Sequence, residues 1–564
     1  MGNTEYFVIN DLETLQKQFV DLLETGIQCS EELENWLKRQ SRLLDEVEEE
    51  LKQHYIQFQC NTDNQQAKET FDFDQKHVQP LVKRYKSLLD NKYYESPLRL
   101  QLDPDFYGLL NKKVENAIHL FNARNIDLEI AEDELVTKYF EITGNLTVMW
   151  EGEEKSLSDM QVYLQNPERT VRQNAMTLIQ ESMLSVEEDL QIIMDQLIAL
   201  RHQKAQNVGL QNYCDYMFKK YERFDYTAAD CLELAEVMRQ YVVPLQKKLQ
   251  EKQQKILGLH TFRPWDIRAV PINEQPLQPV QNVDELVKGT FHILENVDSR
   301  FSALLHDMKE KNLLDLESRK GKAPGGFCEF LPTSKQSFIF MNCCNTQDDV
   351  VVLLHEMGHC VHNELMKDIE LGPYRNIPME SAELASMTME LLTMEYWNTF
   401  YPSGEDFKRA KREQLRLIIQ YLPIITVVDQ FQHWMYENPN HTHAERKEKF
   451  KELARTYDSN FVNWEGYENW LETKWLSILH IFEVPFYYIE YAIAQIGALQ
   501  MYKQYKENPK QTLINYKEAL SLGSTKSVKE VYEAAGIRFD FSAQIIKELM
   551  EFVEKELELL EEEE

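Results

Sequence analysis

Glycine is scarce in this chain: 18 in 564 residues, about 3% against a usual ~7%. Strand-rich and loop-rich folds draw on glycine for their turns, so the shortage argues for helices. Basic residues are also few. Lys and Arg number 61 against 94 Asp and Glu, leaving a net charge of −33 and a pI near 4.9. A surface of that sign repels nucleic acid and favours solubility, so no nucleic-acid partner is expected. Cysteine is sparse: eight scattered residues, one vicinal pair (Cys343–Cys344) and no CxxC. This usage fits neither a disulfide scaffold nor a thiol-redox motif, and reduced thiols in a cytoplasmic location are expected. Long hydrophobic runs are missing too. The longest, Leu417 to Val428, contains Gln420 and Pro423 and is too short to span a bilayer. The opening MGNTEYFVINDLE lacks the basic and apolar regions of a signal peptide, and Tyr6 stands where a myristoylation sequence wants Ser or Thr. No membrane partner is expected.

What is present reads as helix. Hydrophobic residues make up 43% and charged residues 27% of the chain, an ordinary soluble mix. Leu12, Leu15, Phe19 and Leu22 recur at helical spacing, as do Val186, Leu190, Ile193, Leu197 and Leu200. An all-α, mainly helical body follows. Two segments break the pattern. Pro264, Pro271, Pro276 and Pro279 forbid a regular helix over 263–280. Residues 321–342 begin GKAPGGF and continue in two short aromatic and β-branched runs, Gly326–Phe330 and Phe338–Met341. These predict an antiparallel hairpin.

The chemistry lies just after it. Residues 351–366 read VVLLHEMGHCVHNELM, in which His355, Glu356 and His359 form HExxH. Positions four apart share a helix face, so two imidazoles reach one Zn²⁺ and Glu356 stands beside them to work on water. Gly358 lets another segment approach closely. A metzincin would carry Gly at 362 and His at 365; His362 and Leu365 exclude that class. His362 reads as a packed or hydrogen-bonded histidine, because His355 and His359 already span one metal. The third ligand is sought in the next predicted helix, Pro378–Trp397, where Glu380, Glu383 and Glu390 are candidates. Glu383 and Glu390 share a partly apolar face, and a carboxylate there needs a partner.

Together, HEMGH and MESAELASMTMELL resemble the oligoendopeptidase F branch of the thimet oligopeptidase family of zinc peptidases, with the PZ-peptidases as close members. GKAPGGF, FIFMN and HIFEVPFYYIEYAIAQIGA extend the resemblance over roughly 200–564. The resemblance implies a two-lobed helical body around a deep channel, with one zinc per chain. It makes Glu383 the third ligand and leaves a fourth position open. Glu380 and Glu390 are then candidates to orient the zinc histidines. The chain divides into an N-terminal helical lobe, 1–200, and a catalytic region, 201–564. The implied activity is hydrolysis of internal bonds in short unfolded peptides, collagen-derived ones among them. Glu356 would serve as the base toward zinc-activated water.

An oxyanion needs donors besides a metal, and His480, Tyr487, Tyr488 and Tyr491 cluster within twelve residues. PFYYIEY also resembles the tyrosine segment of the angiotensin-converting enzyme family. Carried over, Tyr491 is the oxyanion donor, Tyr488 binds substrate and His480 holds the substrate backbone; Tyr487 is a further substrate contact. A peptide could pair with an exposed strand edge, for which Phe338, Ile339 and Phe340 are the candidates. Gly325 and Gly326 would let the preceding loop move over it. An aminopeptidase reading finds no GxMEN segment, and a catalytically dead binding protein would have lost Glu356 or a ligand. Monomer and homodimer are both compatible with the sequence.

Overall fold

The computed structural model describes residues 11–561; the targeting-signal position Tyr6 lies outside them. The body is mainly helical, as expected. Two small sheets accompany the helices: the hairpin β1 (Thr147–Trp150) and β2 (Glu153–Ser156), and a three-stranded sheet. Glu151 and Gly152, both at positive φ, make the tight turn of the hairpin. No helix among the described residues is long and apolar enough to cross a membrane. All eight cysteines are unbridged.

Three large apolar cores organise the chain. One, around Leu15, Phe19, Trp36 and Tyr107, belongs to the N-terminal helices and also takes in Leu371 and Tyr374. A second joins Leu190–Met217 to Val427–Tyr436 and Trp475–Phe486. The third surrounds the HExxH helix. The 34-residue helix Gly404–Glu437 runs from the third core into the second, with Leu415 in one and Phe431 in the other. Positions 200 and 201, where the sequence divides the lobes, lie inside the helix Glu187–Asn207, whose apolar face packs in the second core.

The predicted hairpin forms. β4 (Phe327–Leu331) pairs antiparallel with β5 (Gln336–Cys343), matching Phe327 to Phe340 and Leu331 to Gln336. A strand missed in the sequence, β3 (Leu314–Glu317), joins β5 in parallel and gives the order β3-β5-β4. This corrects one expectation. Phe338, Ile339 and Phe340 lie on the central strand with both sides paired and their side chains buried, so they offer no edge to a peptide. The free edge near the site belongs to β4. Lys52 Nζ reaches Phe330 O at 3.0 Å, so that carbonyl points outward, and by the alternation of an antiparallel strand so do the Cys328 backbone groups. Gly325 (φ +99°) sits in open space, but Asn342 Nδ2 holds both Ala323 O, at 2.9 Å, and Gly325 O, at 3.1 Å. The loop is therefore pinned from β5, and Gly326 approaches Phe340 O too closely for a larger residue to fit freely.

After β5 the chain turns directly into the His helix (Gln347–Met366). Asp349 accepts the N–H groups of Cys344, at 3.0 Å, and Thr346, at 2.7 Å, which fixes the helix start. The Glu helix (Met379–Thr393) packs across it. A Cβ built on Gly358 would lie 2.5 Å from Ser386 Cα and 2.7 Å from Ala385 O, so only glycine permits this crossing.

Gly358→Ala should destabilise the protein by about 1–3 kcal/mol, the usual cost of overpacking. Gly108→Ala, in the helix Pro104–Leu120 with open space around it, should be neutral or stabilising. Thermal denaturation of the two variants checks the contrast; equal behaviour would mean that the crossing tolerates a methyl group.

Candidate active site and metal centre

The crossing of the His and Glu helices brings three donors together. His355, His359 and Glu383 each offer a ligand atom, all within 4.8 Å of one another. Glu383 Oε2 lies 3.3 Å from His355 Nε2 and 3.7 Å from His359 Nε2. A tetrahedral ion with ligands at ~2.0–2.1 Å separates its donors by roughly 3.3 Å, so donor chemistry and spacing fit zinc. The two imidazoles stand nearly perpendicular, 84° apart with centroids at 4.9 Å, so each can aim its Nε2 inward.

Two of the three donors, His355 and Glu383, are held from behind. Glu390 Oε1 lies 2.7 Å from His355 Nδ1, and Gln414 Nε2 donates to Glu390 Oε2 at 2.8 Å. The shared face read in the sequence thus puts Glu383 and Glu390 at opposite nitrogens of one ring. Tyr487 OH donates to Glu383 Oε1 at 2.6 Å, and Ser386 Oγ to Glu383 Oε2 at 2.9 Å. Tyr487, expected to meet substrate, therefore has its hydroxyl engaged with Glu383. Glu380 does not reach the histidines: it is buried and accepts from Tyr226 OH at 2.6 Å. Ser386 was legible as a neighbour three residues from Glu383. Gln414 comes from another helix and left no local signal.

The electrostatics are dominated by burial. Burial opposes protonation of His355, yet hydrogen bonds and charge from Glu383 and Glu390 outweigh it and hold its pKa well above the usual value. Burial pushes His359 down to about 4. It also opposes the charged form of Glu383, but His355 and His359 overcome this and hold the carboxyl at about 2. Glu356 is pushed up to about 7 by burial, with the Glu383 and Glu390 charges adding to it. Its Oε2 is buried and has no hydrogen-bond partner among the described residues. A dication at the donor cluster would relieve this crowding of carboxylates. His362 is buried with Nδ1 unpartnered and its pKa pushed to about 3, as a packed neutral histidine would be.

The tyrosine helix (Tyr488–Glu507), preceded by a short helical turn, Leu479–Glu483, packs against the Glu helix. His480 Nε2 lies 3.3 Å from Tyr491 OH. The His480 ring is 5.1 Å from that of Tyr488 and 5.7 Å from that of Tyr491. Tyr487 and Tyr491 rings meet at 5.2 Å, which ties this cluster to Glu383 through the Tyr487 hydroxyl. Burial raises the Tyr487 and Tyr491 phenols well above their usual pKa and takes Tyr488 to about 12, so all three remain protonated donors at neutral pH.

HExxH on one helix and a downstream Glu on the next, with a His–Tyr cluster beside them, make a metallopeptidase type of site. Comparison with known proteins gives the family. Residues 162–551 match Peptidase family M3, and residues 4–121 match the Peptidase M3 N-terminal domain. The chain belongs to peptidase family M3. It is 26% identical over 336 residues to an oligoendopeptidase F homolog of Lactococcus lactis subsp. lactis (strain IL1403), covering 58% of this chain and 54% of that protein. Oligopeptidase PepF of Bacillus subtilis (strain 168) is 24% identical over 57% of this chain and 47% of its own. The alignments thus span about half the length of these relatives. A solved structure described as PZ peptidase A with inhibitor 2 superposes with a TM-score of 0.93 and 27% identity, covering 98% of both chains.

Glu390→Ala should lower Zn²⁺ affinity by about 10–100-fold, the usual cost of losing a group that orients a ligand, and Glu383→Ala should lower it further. Chelator-competition titration of both variants measures this. Unchanged affinity in Glu390→Ala would mean that His355 keeps its orientation unaided.

Proposed function

We propose that this chain is a zinc-dependent oligoendopeptidase that hydrolyses internal bonds of short, unfolded peptides. The observation that carries the reading is the cluster of half-buried His355 and His359 with buried Glu383, and the unpartnered Glu356 Oε2 beside it. His355, His359 and Glu383 hold one Zn²⁺. In a three-ligand site the ion supplies Lewis acidity at neutral pH. Glu356 is the general base: it takes a proton from the attacking water and returns it to the leaving amine. Tyr491 donates to the developing oxyanion, Tyr488 contacts the substrate, and His480 holds the substrate backbone beside Tyr491. Tyr487 keeps Glu383 oriented.

The peptide lies extended along the outer edge of β4, using the backbone at Gly326 and Cys328; sequence-tolerant affinity follows from main-chain hydrogen bonds. A folded protein would have to unfold locally to offer such a segment, at a cost up to its global stability of ~5–15 kcal/mol. A channel between helical lobes would limit size further. Collagen-derived peptides are the first class to assay, because the sequence resembles the PZ-peptidases. The cytoplasm is the proposed location, and peptides are the proposed partners.

Three outcomes test the reading. The zinc-loaded protein should cleave a peptide blocked at both ends, and Glu356→Gln should keep the metal while losing at least ~10²-fold in kcat. Near-normal turnover in that variant with zinc bound would remove Glu356 as the base. Tyr491→Phe should lower kcat by about 10²–10³-fold with little change in KM. A rise in KM at constant kcat would make Tyr491 a ground-state contact instead.

A further inference from the structure

The stretch from Leu476 to Tyr487 carries His480 and delivers Tyr487 and Tyr488, yet it has little regular structure of its own. It holds one five-residue helical turn and then bends through Phe486, a buried non-glycine residue at φ +66°. L residues rarely adopt that conformation, so something outside the stretch must hold it.

Side chains from residues 139–223 hold its carbonyls one by one, while Gln432 Oε1 accepts the Phe486 N–H at 2.8 Å. Tyr139 OH donates to Leu476 O at 3.0 Å. Arg201 donates to Ile481 O at 3.2 Å and to Phe482 O. Tyr221 OH donates to Pro485 O at 3.2 Å, and Arg223 Nη2 to Phe486 O at 2.5 Å. Both guanidinium side chains are fully buried, and each is fixed by a carboxylate: Glu132 at 2.6 Å from Arg201, Glu490 at 2.7 Å from Arg223. Glu490 lies in the first turn of the tyrosine helix, next to Tyr491. One guanidinium therefore ties the left-handed turn at Phe486 to the helix that presents Tyr488 and Tyr491. Stability alone is a weak reason for such an arrangement, because desolvation offsets most of the Coulomb gain of a buried pair. A guanidinium fork does supply fixed geometry between a carboxylate and a carbonyl.

We propose that Arg223, supported by Arg201 and Tyr221, is a positioning residue that sets His480, Tyr488 and Tyr491 against the His355–His359–Glu383 cluster without touching substrate. Its catalytic consequence rests on the oligopeptidase reading; its conformational consequence rests on the contacts alone.

The experiment compares the full-length wild type with Arg223→Lys and Tyr221→Phe, which removes a single hydroxyl. Hydrogen exchange is followed over residues 478–490, zinc content is measured, and kcat and KM are determined on a doubly blocked peptide. Faster exchange confined to 478–490 is expected in both variants, with zinc content unchanged. In Arg223→Lys kcat should fall about 10- to 100-fold, the scale of a misplaced catalytic group, with KM nearly constant; Tyr221→Phe should shift the same way by less. In a Tyr491→Phe background the loss caused by Arg223→Lys should shrink, since a donor already absent is not displaced further. Unchanged exchange over 478–490 would overturn the proposal. So would a loss carried by KM, or one of undiminished size in the Tyr491→Phe background. Should the zinc-loaded wild type leave blocked peptides intact, the oligopeptidase reading fails, and the exchange result by itself upholds or overturns the hold of Arg223 on the segment.

Discussion

The site depends on how closely two helices cross. Gly358 leaves room for the backbone of Ala385 and Ser386, where a methyl group would lie 2.5 Å from Ser386 Cα. That approach puts Glu383 within 3.3 Å of His355 and Glu390 against the other nitrogen of the same ring. Separating the helices by the width of a methyl group would draw Glu383 away from both histidines at once. The hydrophobic faces around the crossing, with Leu353, Met357, Leu384 and Met389 buried, set the packing. Dense cores resist such displacement, which makes the donor spacing a property of the core rather than of the loop between the helices.

Within that packing, three carboxylates share one buried region and are treated differently. Glu383 is met by two histidines, the Tyr487 hydroxyl and the Ser386 hydroxyl. Glu390 is met by His355 and Gln414. Glu356 alone keeps a buried oxygen without a partner. A saturated carboxylate is a fixed anchor; an unsaturated one can receive a proton. The division between anchor and proton carrier is thus drawn by hydrogen bonding, on residues whose chemistry is otherwise the same.

The His–Tyr side of the site is built on another plan. Its His480 and tyrosines come from an irregular stretch whose carbonyls are held by Tyr139, Arg201, Tyr221 and Arg223. Side-chain clamps from distant segments do for this side what helix packing does for the donor side. The sheet beside the site follows a third logic. Because β3 covers one side of β5, exposure passes to β4, and the backbone at Cys328 takes the outward position.

Much of this was legible in the sequence because it is local. The helical character followed from glycine scarcity and apolar periodicity. The HExxH geometry and the common face of Glu383 and Glu390 followed from 3.6 residues per turn, and the hairpin from its aromatic and β-branched runs. The family resemblance, not spacing, chose Glu383 over Glu380. What tertiary structure alone decided involves partners far apart in the chain. Examples are the pairing of β3 along the β5 edge at Ile339, the turning of Glu380 toward Tyr226, and Tyr487's bond to Glu383. Gln414 behind Glu390 and Arg223 beneath Phe486 belong with them. Periodicity fixes which side chains share a face; which neighbour that face meets is set by packing among separate segments, from 24 residues apart for Gln414 and Glu390 to 263 for Arg223 and Phe486.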